Sequence, residues 1–220
     1  MAFSMSRQLA AEFVGTVMLV GVVIGSGIMG DALSSDDAVS LWGNTAATGA
    51  ILVVLILIFG PVSGAHFNPA VTLAFRLRKE IATGAALAFV VAQIAGGCAG
   101  AIIANVMFDL PAVQLSDKVR TGPTQLLSEA VATFSLLAAI FGCVRFKPEA
   151  VPYAVGLVIT AGYWWTSSTS FANPAVAIAR TLSDTFAGIR PVDAPAFVIV
   201  QLLTAAIATP LLMWLFKAED

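Results

Sequence analysis

The stretch SGAHFNPAVTLAFRLRKE, residues 63–80, follows an apolar run, breaks for five residues and turns helical again. Its centre returns as SFANPAVAIAR at residues 170–180. Both copies sit between long hydrophobic segments. A helix that begins inside a bilayer leaves four amide donors that hydrocarbon cannot satisfy. Asn caps such an end by accepting from the amides two and three positions on, and Pro suits the first helical position, where its missing N–H costs nothing. Ala leaves room for close backbone approach. Asn68, Pro69 and Ala70, then Asn173, Pro174 and Ala175, each read as a helix start that can exist without surrounding water. With its oxygen engaged in the cap, each Asn keeps an NH2 group as an outward donor.

The rest of the chain fits that setting. Of 220 residues, 59% are hydrophobic and 11% charged, against about 45–50% and about 25% in soluble domains. This is the composition of an all-α membrane protein whose surroundings are the lipid bilayer. A net charge of -2 and the absence of a basic block give no sign of nucleic-acid binding. The length fits one transmembrane domain, residues 1–220, with no appended soluble domain. Cys98 and Cys143 fall in or beside apolar segments and read as buried free thiols. The first apolar segment carries Glu12 and is too long for a signal-peptide core, so it reads as a retained span.

Crossing a bilayer takes about 20 mostly apolar residues. Six segments qualify, at about 8–30, 41–60, 83–107, 125–144, 151–168 and 194–216, with the two Asn-Pro-Ala segments too short to cross. The halves repeat, the first over about 1–107 and the second over about 125–220. AEFVGTVMLV opens one and SEAVATFSLL the other, each with Glu followed four residues later by Thr (Glu12/Thr16, Glu129/Thr133). Three spans per half is an odd number, so the second copy enters from the opposite face and the repeat is inverted. With both termini cytoplasmic, seven basic residues lie inside and four outside: Lys118, Arg120, Arg180 and Arg190.

Inverted symmetry brings the two caps together near the bilayer centre. Each helix N-terminus carries roughly +0.5 of a charge, so the pair opposes a cation at about 5 Å by about 3 kcal/mol at an effective dielectric near 20. Neutral solutes meet no such barrier. The carbonyls ahead of each cap, on Gly64, Ala65 and His66 and on Thr169, Ser170 and Phe171, can persist at that depth only by lining a wet cavity. A neutral-solute pore follows.

The doubled Asn-Pro-Ala, the SGAHFNPAVT context, the Glu in the first and fourth spans and the six-plus-two helix count resemble the aquaporin, or major intrinsic protein, family over essentially the whole chain. The resemblance implies a right-handed bundle of six transmembrane helices plus two re-entrant half-helices. It also implies a homotetramer with one pore per subunit, placement in the cell (inner or plasma) membrane, and passive flow of water or small uncharged solutes. The family's selectivity filter takes one residue from the second span, one from the fifth and two flanking the second motif. The position after that motif is usually Arg; here it is Val176. Counting back from Asn68 gives Thr48, Ser170 fills the loop position, and the fifth-span residue is Ala161 or Tyr163, with Ala161 preferred.

A filter without its guanidinium implies a pore wider than that of a strict water channel. Ala177 also replaces the Asp typical of glycerol facilitators, so the chain most resembles the bacterial aquaglyceroporin-like branch associated with arsenic resistance, implying metalloid hydroxides such as arsenite. Arg180 lies one turn beyond Val176; pairing with Asp184 or solvent is the favoured reading, and lining of the outer mouth the alternative. Glu12 and Glu129 read as structural carboxylates behind the half-helices. His66 and Phe171 are candidate pore-lining residues. Trp164 and Trp165 read either as filter aromatics or as interfacial anchors, and the Gly-rich AGGCAG at residues 95–100 as a close helix contact. One His and no hydrolase or metalloprotease arrangement leave no enzyme, metal or cofactor reading. The alternative function is an inverted-repeat secondary transporter, which would need partnered titratable groups to couple transport.

Overall fold

The computed structural model describes residues 3–218, and these form eight α-helices with two short 3-10 turns. In chain order the helices are α1 (Met5–Leu33), α2 (Asp37–Ser63), α3 (Pro69–Leu77), α4 (Thr83–Met107), α5 (Pro123–Phe146), α6 (Val151–Trp165), α7 (Pro174–Ala179) and α8 (Ala194–Leu215). In hydrocarbon every backbone N–H and C=O must find its partner within the segment, which long helices provide. α1, α2, α4, α5 and α8 are long and apolar enough to cross a membrane. α6 falls short of the expected fifth span: at 15 residues it rises about 22 Å. A 3-10 turn at Pro148–Ala150 leads into it, and it ends where Thr166 turns its hydroxyl back onto the Gly162 carbonyl at 2.7 Å.

The packing of one half is repeated by the other. α1 packs on α2 and α4 as α5 packs on α6 and α8; α3 lies against α4 and α8 as α7 lies against α8 and α4. The halves meet along α2 and α6, where Gly49 and Gly156 face each other: a Cβ on Gly156 would lie 2.7 Å from the Gly49 carbonyl oxygen. Without a hydrophobic drive between helices in lipid, such close backbone approach supplies the packing. The Gly-rich segment of α4 serves the same end. A Cβ on Gly100 would meet the amide nitrogen of Gly21 on α1 at 3.1 Å, and one on Gly97 would meet the Ala175 carbonyl of α7 at 3.2 Å. Cys98 and Cys143 are free and half-buried, less sunk than their expected placement. All four Trp side chains are exposed on the outside of the bundle, which removes Trp164 and Trp165 from any filter.

Candidate functional site: a cavity between two half-helices

Two loops decide the centre of the molecule, and their backbones match position for position. Gly64, Ala65 and Phe67 in the first have positive φ, as do Thr169, Ser170 and Ala172 in the second, between 47° and 91°. Five of these six carry a side chain in the left-handed region, a strain of about 1–3 kcal/mol each that must be held from outside. Two buried carboxylates hold it. Glu12 accepts from the His66 and Phe67 amides at 2.9 and 2.7 Å, from Ser63 Oγ at 2.6 Å and from Gln93 Nε2 at 2.8 Å. Glu129 accepts from the Phe171 and Ala172 amides, both at 2.9 Å, and from Gln201 Nε2 at 2.5 Å. Charge-assisted bonds of this kind contribute about 1.5–3 kcal/mol each.

Each loop feeds a capped half-helix. Asn68 Oδ1 accepts from the Ala70 amide at 2.8 Å; Asn173 Oδ1 accepts from those of Ala175 and Val176 at 3.0 and 3.3 Å. The Asn NH2 groups are not both left wholly free for solute. Asn68 Nδ2 donates to the Ala172 carbonyl at 2.7 Å and Asn173 Nδ2 to the Phe67 carbonyl at 2.8 Å, a reciprocal tie between the loops. Each nitrogen carries two hydrogens, so one per Asn remains to meet a solute. The tie is why the two half-helices start head to head.

Beside this knot lies a cavity of about 230 Å³. Asn68, Asn173, His66 and the loop residues Gly64, Ala65 and Ser170 line it together with Leu19, Leu52, Leu136, Ile140, Val155 and Ile159. A lining that mixes polar groups with apolar side chains suits a small solute that carries both hydroxyls and carbon. His66 Nδ1 is 3.1 Å from Thr72 Oγ1, and its ring packs near Phe75 and Phe89. Phe171, at the equivalent place in the second half, packs against Phe197 with ring centroids 5.2 Å apart.

The filter candidates separate cleanly. Thr48, Ser170 and Val176 all line the cavity, and so does Tyr163, whose hydroxyl is 3.3 Å from Thr48 Oγ1. Ala161, the preferred fifth-span residue, is instead exposed on the outer surface of α6. The helical turn explains the correction: two positions separate residues 161 and 163, a rotation of about 200°. Gly162 makes room between them, since a Cβ there would lie 2.6 Å from Ser170 Cβ.

Arg180 also departs from its favoured reading. Asp184 accepts instead from the Asp117 amide at 3.0 Å. Arg180 is 2% exposed, lines the cavity, donates from Nε to the Ala187 carbonyl and places Cζ 3.5 Å from the centre of the Phe171 ring. The repeat offered a signal here. Phe75 occupies the matching place in the first half and stacks on His66, the counterpart of Phe171.

Gln93 and Gln201 escaped the sequence reading, although AFVVAQ (residues 88–93) and AFVIVQ (residues 196–201) set them in one repeated frame. Both are fully buried. Arg120 escaped as a site residue as well, because nothing local marks a loop cation as buried.

Comparison with known proteins agrees with this architecture. The profile of the Major intrinsic protein family matches residues 1–165. Aquaglyceroporin AqpS of Rhizobium meliloti (strain 1021) is 57% identical over 215 residues, 98% of this chain and 92% of the relative. The Glycerol uptake facilitator protein of Streptococcus pneumoniae (strain ATCC BAA-255 / R6) is 29% identical over 78% of this chain and 80% of the relative. The X-ray structure of the aquaglyceroporin from Plasmodium falciparum superposes with a TM-score of 0.74 at 20% identity, covering 97% of this chain and 99% of that one, a likeness of fold. The profile match and the near-full-length kinship with AqpS mean that the chain belongs to the major intrinsic protein family, whose members are integral multi-pass membrane channels and not enzymes.

Proposed function

We propose that the protein is a passive channel for water and small uncharged solutes, with a filter of Thr48, Tyr163, Ser170 and Val176 that admits glycerol-like polyols and metalloid hydroxides such as arsenite. The observation that carries this reading is Val176 facing the cavity where the family usually places Arg. Removing a guanidinium from that turn takes away both bulk and a fixed charge. Its nearest replacement in sequence, Arg180, stands one turn further along the cavity wall, where the Phe171 ring and the Ala187 carbonyl hold it. The kinship with a protein named an aquaglyceroporin and with a glycerol uptake facilitator supports the polyol part. Passive flow is supported by Glu12 and Glu129, the carboxylates a coupled transporter would protonate, being bonded to loop amides.

The reading includes a homotetramer in the cell membrane with both termini cytoplasmic. Val176→Arg tests the filter. In proteoliposomes followed by stopped-flow light scattering, glycerol permeability falls at least tenfold while water permeability stays within about threefold of the unsubstituted protein, a loss of about 1.4 kcal/mol or more for the larger solute. Unchanged glycerol and arsenite permeation in Val176→Arg overturns it.

A further inference from the structure

A second polar cluster stands at the mouth away from the chain termini, and the channel reading above gives its cations no ligand. Arg120, in the connection between α4 and α5, is 9% exposed and places Cζ 5.1 Å from the centre of the Phe171 ring, which Arg180 also covers at 3.5 Å. Two guanidiniums therefore share one aromatic ring. Their Nε atoms are fixed on successive carbonyls, Arg180 on Ala187 and Arg120 on Gly188. Among the described residues, no protein acceptor meets the terminal nitrogens of either side chain, and neither is in an ion pair with a carboxylate.

The neighbouring carboxylates are committed elsewhere. Asp193 accepts from the Arg120 amide and from Arg190, Asp184 from the Asp117 amide, and Glu129 from the Phe171 and Ala172 amides and Gln201. Lys118 adds a third cation nearby; desolvation and the charges of Arg120 and Arg180 push its ammonium below the usual lysine value, against the opposing pull of Asp31 and Asp37. Two guanidiniums gathered with no carboxylate ion-paired to either are costly, and their persistence points to a ligand of opposite sign. Guanidinium nitrogens held in a fixed fork suit an oxyanion, which they bind through paired hydrogen bonds.

We propose that Arg120 and Arg180 form an oxyanion-binding site at this mouth, and that an anion seated there obstructs entry of neutral solute into the cavity below. Both guanidiniums lie at the Phe171 ring, and the Ala187 and Gly188 carbonyls fix their Nε edges. The proposal rests on the channel reading, because obstruction is meaningful only where neutral solute flows. The shared ligand chemistry is a small oxyanion, either an inorganic tetrahedral one or an organic carboxylate.

The test measures water flux through proteoliposomes in phosphate, acetate or chloride at matched ionic strength and osmolality. Phosphate or acetate, or both, reduces flux at millimolar concentration relative to chloride, and the two arms distinguish the tetrahedral from the carboxylate source. Each variant, Arg120→Gln and Arg180→Gln, is normalised to its own flux in chloride, and the concentration for half-inhibition rises at least tenfold in both. Thermal unfolding in detergent gives an independent readout: phosphate or acetate raises the midpoint of the unsubstituted protein more than that of either variant. Flux in chloride that is insensitive to both oxyanions, with equal midpoints, overturns the site and leaves the channel standing. No flux in any salt overturns the channel reading itself, and the binding arm then decides the site alone.

Discussion

Replacing Glu129 by Gln isolates the force that holds the second loop. The carboxylate accepts three hydrogen bonds, two of them from the adjacent Phe171 and Ala172 amides. Gln is nearly isosteric but offers one acceptor oxygen, so its NH2 must face a backbone amide. Turning it toward Gln201, whose Oε1 has no partner, rescues that contact and still leaves the Ala172 amide unpaired. One orphaned buried donor costs about 1–3 kcal/mol, and the remaining bonds fall from the charge-assisted range to about 0.5–1.5 kcal/mol each. The sum is about 3–5 kcal/mol, set against left-handed residues at Ser170 and Ala172 that the carboxylate holds in place. Glu129→Gln therefore lowers the thermal midpoint in detergent by on the order of 10 °C and reduces water permeability per folded channel. A proton relay predicts the reverse pattern, with lost proton movement and an unaltered midpoint. An unaltered midpoint refutes the structural account.

Gly162→Ala sets a methyl group 2.6 Å from Ser170 Cβ, so it destabilises by about 1–3 kcal/mol and shifts the solute ranking of the channel, both measurable on one preparation; equal stability and ranking contradict the described contact. Asp193 carries a pH signature. Desolvation raises its pKa, but hydrogen bonds from Arg190 and the Arg120 amide outweigh that and hold it below the usual aspartate value. A depressed pKa stabilises the fold above the ordinary value and loses that contribution as pH falls through the depressed one. The midpoint gap between the unsubstituted protein and Asp193→Asn accordingly narrows as pH drops below about 4, and a gap independent of pH contradicts the tether.

How much of this was legible in the sequence follows from where the constraint is local. The Asn caps were readable because a helix start in hydrocarbon has few chemical solutions, and the head-to-head arrangement followed from counting three spans per half. The fifth-span filter residue was not, since one helical turn cannot be phased without knowing which face of α6 meets α2. Gly49 and Gly156 fix that phase, and only the packed structure shows that they touch. The end of α6 was overextended by three residues, over the hydroxylated Thr166, Ser167 and Ser168, where Thr166 closes the helix through its own hydroxyl. Arg180 was misjudged because its partner, Phe171, is nine residues away along the chain and belongs to a loop whose path the chain's hydrophobic pattern does not reveal.

The pseudo-symmetry also explains why the partners stacked at the two mouths differ. Val71 and Val176, Phe75 and Arg180, and His66 and Phe171 occupy paired positions, so the halves share a frame and differ in the side chains placed on it. At the mouth nearer the termini the stacked pair is His66 on Phe75, at 4.7 Å between ring centres; at the opposite mouth it is Arg180 on Phe171, at 3.5 Å. An aromatic face attracts a cation, so the same geometry accepts either partner with little backbone change. Moving the guanidinium from position 176 to position 180 relocates it by about 6 Å along the axis, from the level of Ser170 toward the loop that carries Arg120. A cation at position 176 would narrow the filter for every solute, whereas at position 180 it acts ahead of the filter. On the proposed filter and oxyanion site, size selection and charge selection are thereby separated along the path. A double substitution, Val176→Arg with Arg180→Val, should bring them back to one level: glycerol flux falls as in Val176→Arg, and sensitivity to external oxyanions is lost as in Arg180→Gln. Retained oxyanion sensitivity in that double variant would show that position 180 is not where charge is read.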